Sequence, residues 1–442
     1  MAQTRSRAYR SDRALTDATG EVSLVKRSSW GPTQIVSVTV IVGCAVIFLS
    51  GGIRSGFGLF VTHIEDETGW STAQISLGIA VQNLMWGLGQ PFAGAIADRF
   101  GSGRVLAAGG VLYVLGLEWM AHASSPGEWV LSSGLVVGLA LAGASLSVIL
   151  STVGRAVTPE HRPMALGLVT ASSSLGQFAL VPVTRQLIDH GGTHDALHTL
   201  ALMALAMVVL AYGMRGRVGE GDGFRTADQS LRDALTEARR HRGFVQLTTG
   251  FFVCGFHVAF MATHLPKHIE EHGLSDNVGA WALALIGLFN IVGSLGAGYF
   301  GSRHRLGFLL TVLYAGRSLA IFVFLVMPVT TVSALLFGVA IGLMWLSTVP
   351  LTSGVVAKVF GPTHSGMLFG VVFLSHQLGG FLGVWLGGKL FDVTGSFNVV
   401  WWIAVALGVV AAILHWSIDE TPIDRSVAST NGTPPVPDTR RR

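Results

Sequence analysis

Charge is scarce in this chain. Asp, Glu, Lys and Arg make up 12% of it, about half of what a soluble domain carries. Half of the residues are hydrophobic and the mean hydropathy is +0.57, which excludes an ordinary soluble globule. Cysteine is nearly absent. Cys44 and Cys254 both lie in apolar stretches without partner spacing, which excludes a disulfide framework or a thiolate metal site. Strand-type alternation is missing, so a membrane β-barrel is not expected. No metal-ligand cluster, nucleophile–base constellation or phosphate loop stands out, so neither an enzyme nor a cofactor is expected. No basic patch interleaved with aromatics calls for a nucleic acid. Residues 1–32 lack the short apolar core of a cleaved signal peptide.

Long apolar runs are what the chain has instead. Twelve are counted, near 35–61, 74–97, 104–123, 128–152, 163–188, 195–215, 243–265, 278–301, 306–327, 330–355, 365–389 and 396–417. Each has roughly the 20 residues that cross the hydrocarbon core of a bilayer as a helix. Gly is abundant within them, which suits close helix packing in lipid. Lys and Arg sort by loop. Arg5 to Arg27, Arg99, Arg104, Arg155, Arg162, the cluster Arg215 to Arg242, Arg303, Arg305, Lys358, Arg425 and Arg440 to Arg442 fall on one side, and Arg185, Lys267 and Lys389 on the other. This asymmetry predicts a multi-pass protein of the cell (inner or plasma) membrane with both termini in the cytoplasm.

The runs divide six and six. The expected organisation is a disordered cytoplasmic tail (1–32), a first six-helix half (33–215), a cytoplasmic loop with a short amphipathic helix (216–242), a second half (243–417) and a disordered tail (418–442). The halves repeat. Pro159, His161, Met164, Gly167, Ser172, Leu175, Gly176 and Phe178 recur 203 positions later as Pro362, His364, Met367, Gly370, Ser375, Leu378, Gly379 and Phe381. A compact turn, Gly94-Ala-Ile-Ala-Asp98-Arg99-Phe-Gly101-Ser-Gly103-Arg104, returns 204 positions later as Gly298-Tyr-Phe-Gly301-Ser302-Arg303, with Ser302 in place of Asp98. Duplicated halves about an axis along the membrane normal characterise alternating-access transporters.

The Gly94-xxx-Asp98-Arg99-x-Gly101 turn resembles the signature of the major facilitator superfamily. The stretches Gly51-Gly-Ile-Arg54-Ser-Gly-Phe-Gly58 and Arg162-Pro-Met-Ala-Leu-Gly167 resemble its monocarboxylate and oxalate/formate porter branch. The resemblance implies an all-α integral membrane fold of twelve transmembrane helices in two pseudo-symmetric halves. It also implies transport of a small organic anion with a proton or a counter-anion. The Asp/Arg pair that mammalian monocarboxylate porters carry in helix 8 is absent here; Asn290 and Ser294 stand at the matching place.

Charges deep in lipid are costly and mark functional positions. Arg54 is the sharpest candidate, flanked by Gly51, Gly52, Gly56 and Gly58, and a guanidinium can grip a carboxylate by two parallel hydrogen bonds. The 203-residue repeat pairs it with His257 in helix 7, which predicts two polar groups facing each other across a central cavity. Gln82, Asn83, Gln177, Asn290, His376 and Gln377 complete a predicted polar midplane, although amides also tie helices together. Gly94, Asp98, Arg99, Gly101 and Arg104 are assigned to an inner gate. Glu118 is expected at the interface, Arg317 in a structural pair, and His264 and His268 in solvated loop. Pro350 is expected to kink helix 10. The expected assembly is a monomer in lipid that takes a monocarboxylate-like anion. Proton-driven efflux of a hydrophobic compound and anion exchange are the alternatives.

Overall fold

A computed structural model describes residues 32–158, 161–214, 231–361 and 365–423; the side chains of residues 32–37, 98, 163, 231, 232, 234 and 365 lie outside that description. The described chain is built of helices. Those that run the depth of the molecule are α1 (Val38–Thr68), α2 (Thr72–Phe100), α3 (Ser102–Ala121), α4 (Pro126–Ala156), α5 and α6 (within Arg162–Ala211), α7 (Arg242–Glu270), α8 (Asp276–Gly301), α9 (Leu306–Val326), α10 (Thr331–Phe360), α11 (Ser365–Thr394) and α12 (Asn398–Trp416). Ten stretches are long and apolar enough to cross a membrane. One of them holds both α5 and α6, divided at Gly192, whose φ of 71° and ψ of −175° break the helix. With α2, which is 29 residues long but more polar, the architecture accommodates the twelve passes read from the sequence. A short helix, Leu231–Arg240, lies in the loop between the halves; the rest of that loop and most of both tails lie outside the described residues.

Local chemistry sets the ends. Ser71 and Gln74 form a capping box at the start of α2, and Thr330 and Ser333 form another at the start of α10. Gly69, Gly101, Gly273 and Gly395 take positive φ at the tight turns, a conformation glycine adopts without Cβ strain. One span differs from expectation: α7 runs through Pro266 to Glu270 instead of ending near residue 265. His264 and His268 are therefore buried helix residues and not solvated loop: the His264 ring donates to Val384 O at 2.9 Å. The kink expected at Pro350 is an interruption of α10 at Trp345–Ser347, between Thr331–Met344 and Thr348–Phe360. The interruption falls one turn before Pro350, whose ring conflicts with the carbonyl four residues back. Fully buried Arg317 caps the loose end by donating to the Met344 carbonyl and, at 2.8 Å, to the Trp345 carbonyl. This is the helix-end role that suits a cation.

The duplication is visible in the packing. A Cβ on Gly176 of α5 would sit 2.1 Å from Phe48 O of α1, and one on Gly379 of α11 would sit 2.0 Å from Phe252 O of α7. The same backbone-on-backbone contact is thus made twice, with α5 and α11 offset by 203 residues and α1 and α7 by 204.

Just beyond α12, Glu420 ties the segment that follows the helix back onto the bundle. Its carboxylate accepts from Gly307 N at 2.6 Å, at the start of α9, and from Lys358 Nζ at 2.8 Å. Burial pushes the carboxyl up, but the hydrogen bonds from Lys358 and Gly307 outweigh it and hold the group below its ordinary carboxylate value. A depressed carboxylate stabilises the fold above its unfolded-state pKa, and the contribution is lost as pH falls through the folded-state pKa. Glu420→Gln is therefore expected to flatten the acid limb of a thermal-stability profile below about pH 5; an unchanged limb would show that the tie contributes nothing.

Candidate functional site

Helix α1 is not continuous. Its regular part runs to Ser55 and gives way at Gly56 to a tight turn over Phe57–Leu59 before Phe60–Thr68 resumes. Gly58 makes the turn possible in this place, since a Cβ there would lie 2.2 Å from Ala262 O of α7. Arg54 lies in the last turn of the regular part, where the negative end of the helix favours a cation. Its Nη2 donates to Asn83 Oδ1 of α2 at 2.9 Å, and its Cζ stands 4.7 Å from the Trp86 ring centroid. Arg54 Nε is enclosed and has no hydrogen-bond partner. Among the described residues no carboxylate lies within ion-pair distance of the guanidinium.

The polar residues singled out from the sequence fall into four places. Arg54, Asn83, His376 and Gln377 come together: Gln377 Nε2 donates to Asn83 O at 3.1 Å, and His376 Nδ1 lies 2.9 Å from Gln377 Oε1. Gln177 and Asn290 occupy the α5–α8 seam. Gln177 Nε2 donates to Leu283 O at 2.9 Å, and Asn290 Nδ2 to Ser174 Oγ at 2.8 Å, while Asn290 Oδ1 accepts from Leu346 N, also at 2.9 Å, at the interruption of α10. Gln82 turns the other way, donating to Ser133 O of α4 at 3.0 Å. His257 does not face Arg54. It is wholly buried and donates from Nε2 to Ala404 O of α12 at 2.8 Å, with the backbone of Gly408 against its ring. The reason is register. With α1 and α7 offset by 204, the counterpart of Arg54 is Val258, and one residue turns a helix by about 100°.

Sequence reading passed over Trp86 and Phe373. Both are half-buried, and their rings meet edge to face at 5.6 Å across the α2–α11 seam, so they border the two halves of the chain. Their spacing carried the signal: Asn83 and Trp86, like Phe373 and His376, are three apart and share a helix face.

The halves are joined at one end. There Lys267 pairs with Glu65 and donates to Thr72 Oγ1 at 2.7 Å; Arg185 Nη1 lies 2.8 Å from Asp276 Oδ2; Thr62 Oγ1 donates to Glu270 at 2.6 Å; and Ala73 N donates to Asp392 at 3.1 Å. Each of these ties joins a residue before 215 to one after 242. At the opposite end, a Cβ added to Gly94, Gly167, Gly296, Gly298, Gly366 or Gly370 would meet nothing within 4 Å. The Gly94–Arg104 turn lies at this opposite end. Gly101 has a φ of 94° between α2 and α3, Arg99 is exposed with its Cζ 5.3 Å from the Phe100 ring centroid, and Arg104 is exposed. The Asp98 side chain lies outside the described residues.

A bundle of paired six-helix halves, tied together at one end and holding a guanidinium without a carboxylate partner among the described residues, is the frame of a membrane transporter. Residues 43–353 match the model of the Major Facilitator Superfamily, and the chain belongs to that family. Among its curated relatives are monocarboxylate transporter 13 of Rattus norvegicus, 26% identical with 88% of this chain and 90% of that protein covered, and monocarboxylate transporter 11 of Mus musculus, 28% identical with 80% of each covered. The MFS-type transporter YcxA of Bacillus subtilis is 24% identical over 82% of this chain and 90% of its own length. In fold, the chain resembles the nucleoside transporter NupG (TM-score 0.67, 15% identity, 87% and 98% covered). It also resembles the xylose transporter XylE from E. coli in a partially occluded inward-open conformation (TM-score 0.66, 13% identity, 86% and 98% covered).

Proposed function

We propose that the protein carries a small organic anion of the monocarboxylate class across the cell membrane by alternating access, with Arg54 as the carboxylate anchor. The observation that carries this reading is the unpaired guanidinium. A cation enclosed in the bundle without a carboxylate is expensive, and among the described residues Arg54 has none: Asn83 accepts from Nη2, the Trp86 ring lies against the guanidinium, and Nε has no hydrogen-bond partner. An arriving carboxylate would compensate the charge and occupy the free edge of the guanidinium. The relatives named monocarboxylate transporters support the anion class.

On the side assigned by the Lys and Arg distribution, the joined end is external, so this conformation is closed to the outside. Lys267–Glu65 and Arg185–Asp276 then form the outer gate, and the Gly94–Arg104 turn belongs to the inner gate that closes in the other state. The cycle is completed by a proton or a counter-anion. Proton symport follows the family resemblance; the absence of a carboxylate beside Arg54 among the described residues favours anion exchange.

Uptake of labelled propionate into proteoliposomes tests both readings. Stimulation by an inwardly directed proton gradient is the result expected for symport; stimulation by a preloaded carboxylate, without a gradient effect, establishes exchange. Saturable uptake of neither propionate nor phenylacetate in either condition would sink the anion assignment. The gate has its own test. Gly58→Val is expected to hold the outer end open, raising thiol labelling of Thr62→Cys from that side severalfold, because the added methyls meet the Ala262 and Thr263 carbonyls at the closure point. Unchanged labelling would mean that the turn has no part in closure.

A further inference from the structure

We propose that the anion carried is an aromatic monocarboxylate, with Arg54 holding its carboxylate and Trp86 and Phe373 holding its ring. This rests on the reading of Arg54 as the carboxylate anchor and adds what the rest of the ligand must be.

Three features lead there. The first is proximity: the guanidinium lies 4.7 Å from the Trp86 ring centroid, so any ligand gripped by the free edge of Arg54 extends within its next few atoms onto an aromatic wall. The second is the continuation of that wall. Phe373 stands edge to face with Trp86 at 5.6 Å, His376 is parallel to Phe373 at 5.7 Å, and Phe251 is 4.9 Å from His376. Edge-to-face pairs of this kind accept a further ring in the same geometry, because ring edges are positive and faces negative. The third is the indole nitrogen. Trp86 Nε1 is enclosed without a hydrogen-bond partner, as is Arg54 Nε. Two unsatisfied donors on neighbouring side chains, bordered by apolar rings, complement a flat ligand with acceptors at one edge. A two- or three-carbon aliphatic acid would satisfy Arg54 and leave the aromatic wall bare.

The wall is shared by the two halves, Trp86 from α2 and Phe373 from α11. A ring lodged there touches both bodies that must move against each other, so the same contact that selects the ligand also reports its presence to the moving parts.

The test compares uptake of labelled phenylacetate and propionate by the full chain in proteoliposomes, normalised to reconstituted protein. The parent is expected to favour phenylacetate in kcat/KM. Trp86→Leu and Phe373→Leu are expected to lower the phenylacetate-to-propionate ratio roughly three- to tenfold, the range of an aromatic pair contribution, whereas Trp86→Phe retains most of the ratio because it keeps a ring face. Equal effects on both acids, or no preference in the parent, would overturn the aromatic assignment; if both acids still require Arg54, the anchor reading stands. Uptake of both acids that is indifferent to Arg54→Gln, or no saturable uptake of either, removes the anchor and the aromatic assignment with it.

Discussion

Arg54→Gln is expected to lower kcat/KM for carboxylate uptake by about a hundredfold or more, with insertion and folding unchanged. The size follows from what is removed. A bidentate, charge-assisted contact made away from bulk water is worth several kcal/mol, and each 1.4 kcal/mol is a factor of ten. Folding should tolerate the change, because losing a buried cation without an acidic partner also removes its desolvation cost. Asn83, whose Oδ1 accepts from Arg54 at 2.9 Å, is left to pair with the new amide. Arg54→Lys is expected to recover part of the uptake: an ammonium supplies the charge but not the planar fork. Wild-type kinetics in Arg54→Gln would assign the residue a purely structural part. A loss accompanied by poor insertion would point the same way.

The second large effect is on stability. Gly379→Ala is expected to destabilise the protein by about 2 kcal/mol or more, in the overpacking range, and to lower its apparent melting temperature in detergent by roughly 5 °C. The new Cβ would lie 2.0 Å from Phe252 O and 2.9 Å from Phe252 C, so α7 and α11 must part along a backbone contact that no rotamer change can relieve. Gly176→Ala does the same to α1 and α5 through Phe48 O at 2.1 Å. Gly296→Ala is the control, because its Cβ enters open space and alanine is the better helix former. Equal melting temperatures for Gly379→Ala and Gly296→Ala would mean that the α7–α11 contact does not limit the stability of the second half.

Much of the fold was legible before any coordinate, because lipid leaves a chain few options. With no water to satisfy backbone groups, apolar runs of about 20 residues must be helices. Composition and run length therefore carried the class, and the internal repeat carried the paired halves. The family signature was legible for the same reason: a tight Gly101 turn with positive φ between two spans leaves a fixed pattern of residues. The candidate site was legible in part. Arg54 stood out as a cation among glycines in an apolar run, and Asn83, which accepts from it, is in turn bonded by Gln377. His257 misled because an offset of 203, read from α5 and α11, was applied to α1 and α7, where the packing follows 204.

The sequence by itself determined membrane residence, the helical class, the duplication and the rarity of Arg54, since each follows from transfer energies or residue counts along one dimension. Only the tertiary structure decided which face each polar residue presents. His257 went to α12, Gln82 to α4 and Asn290 to the interruption of α10, while Arg54 kept an edge without a partner beside Trp86. The physical reason is rotational. A slip of one residue is nearly invisible to hydropathy yet turns a side chain by about 100°, and the helix that receives it is set by glycine contacts between elements far apart in the chain. The closed end was hidden for a related reason. Lys267, Glu65, Arg185 and Asp276 are ordinary loop-edge charges in one dimension and become ties between the halves once the bundle brings them together.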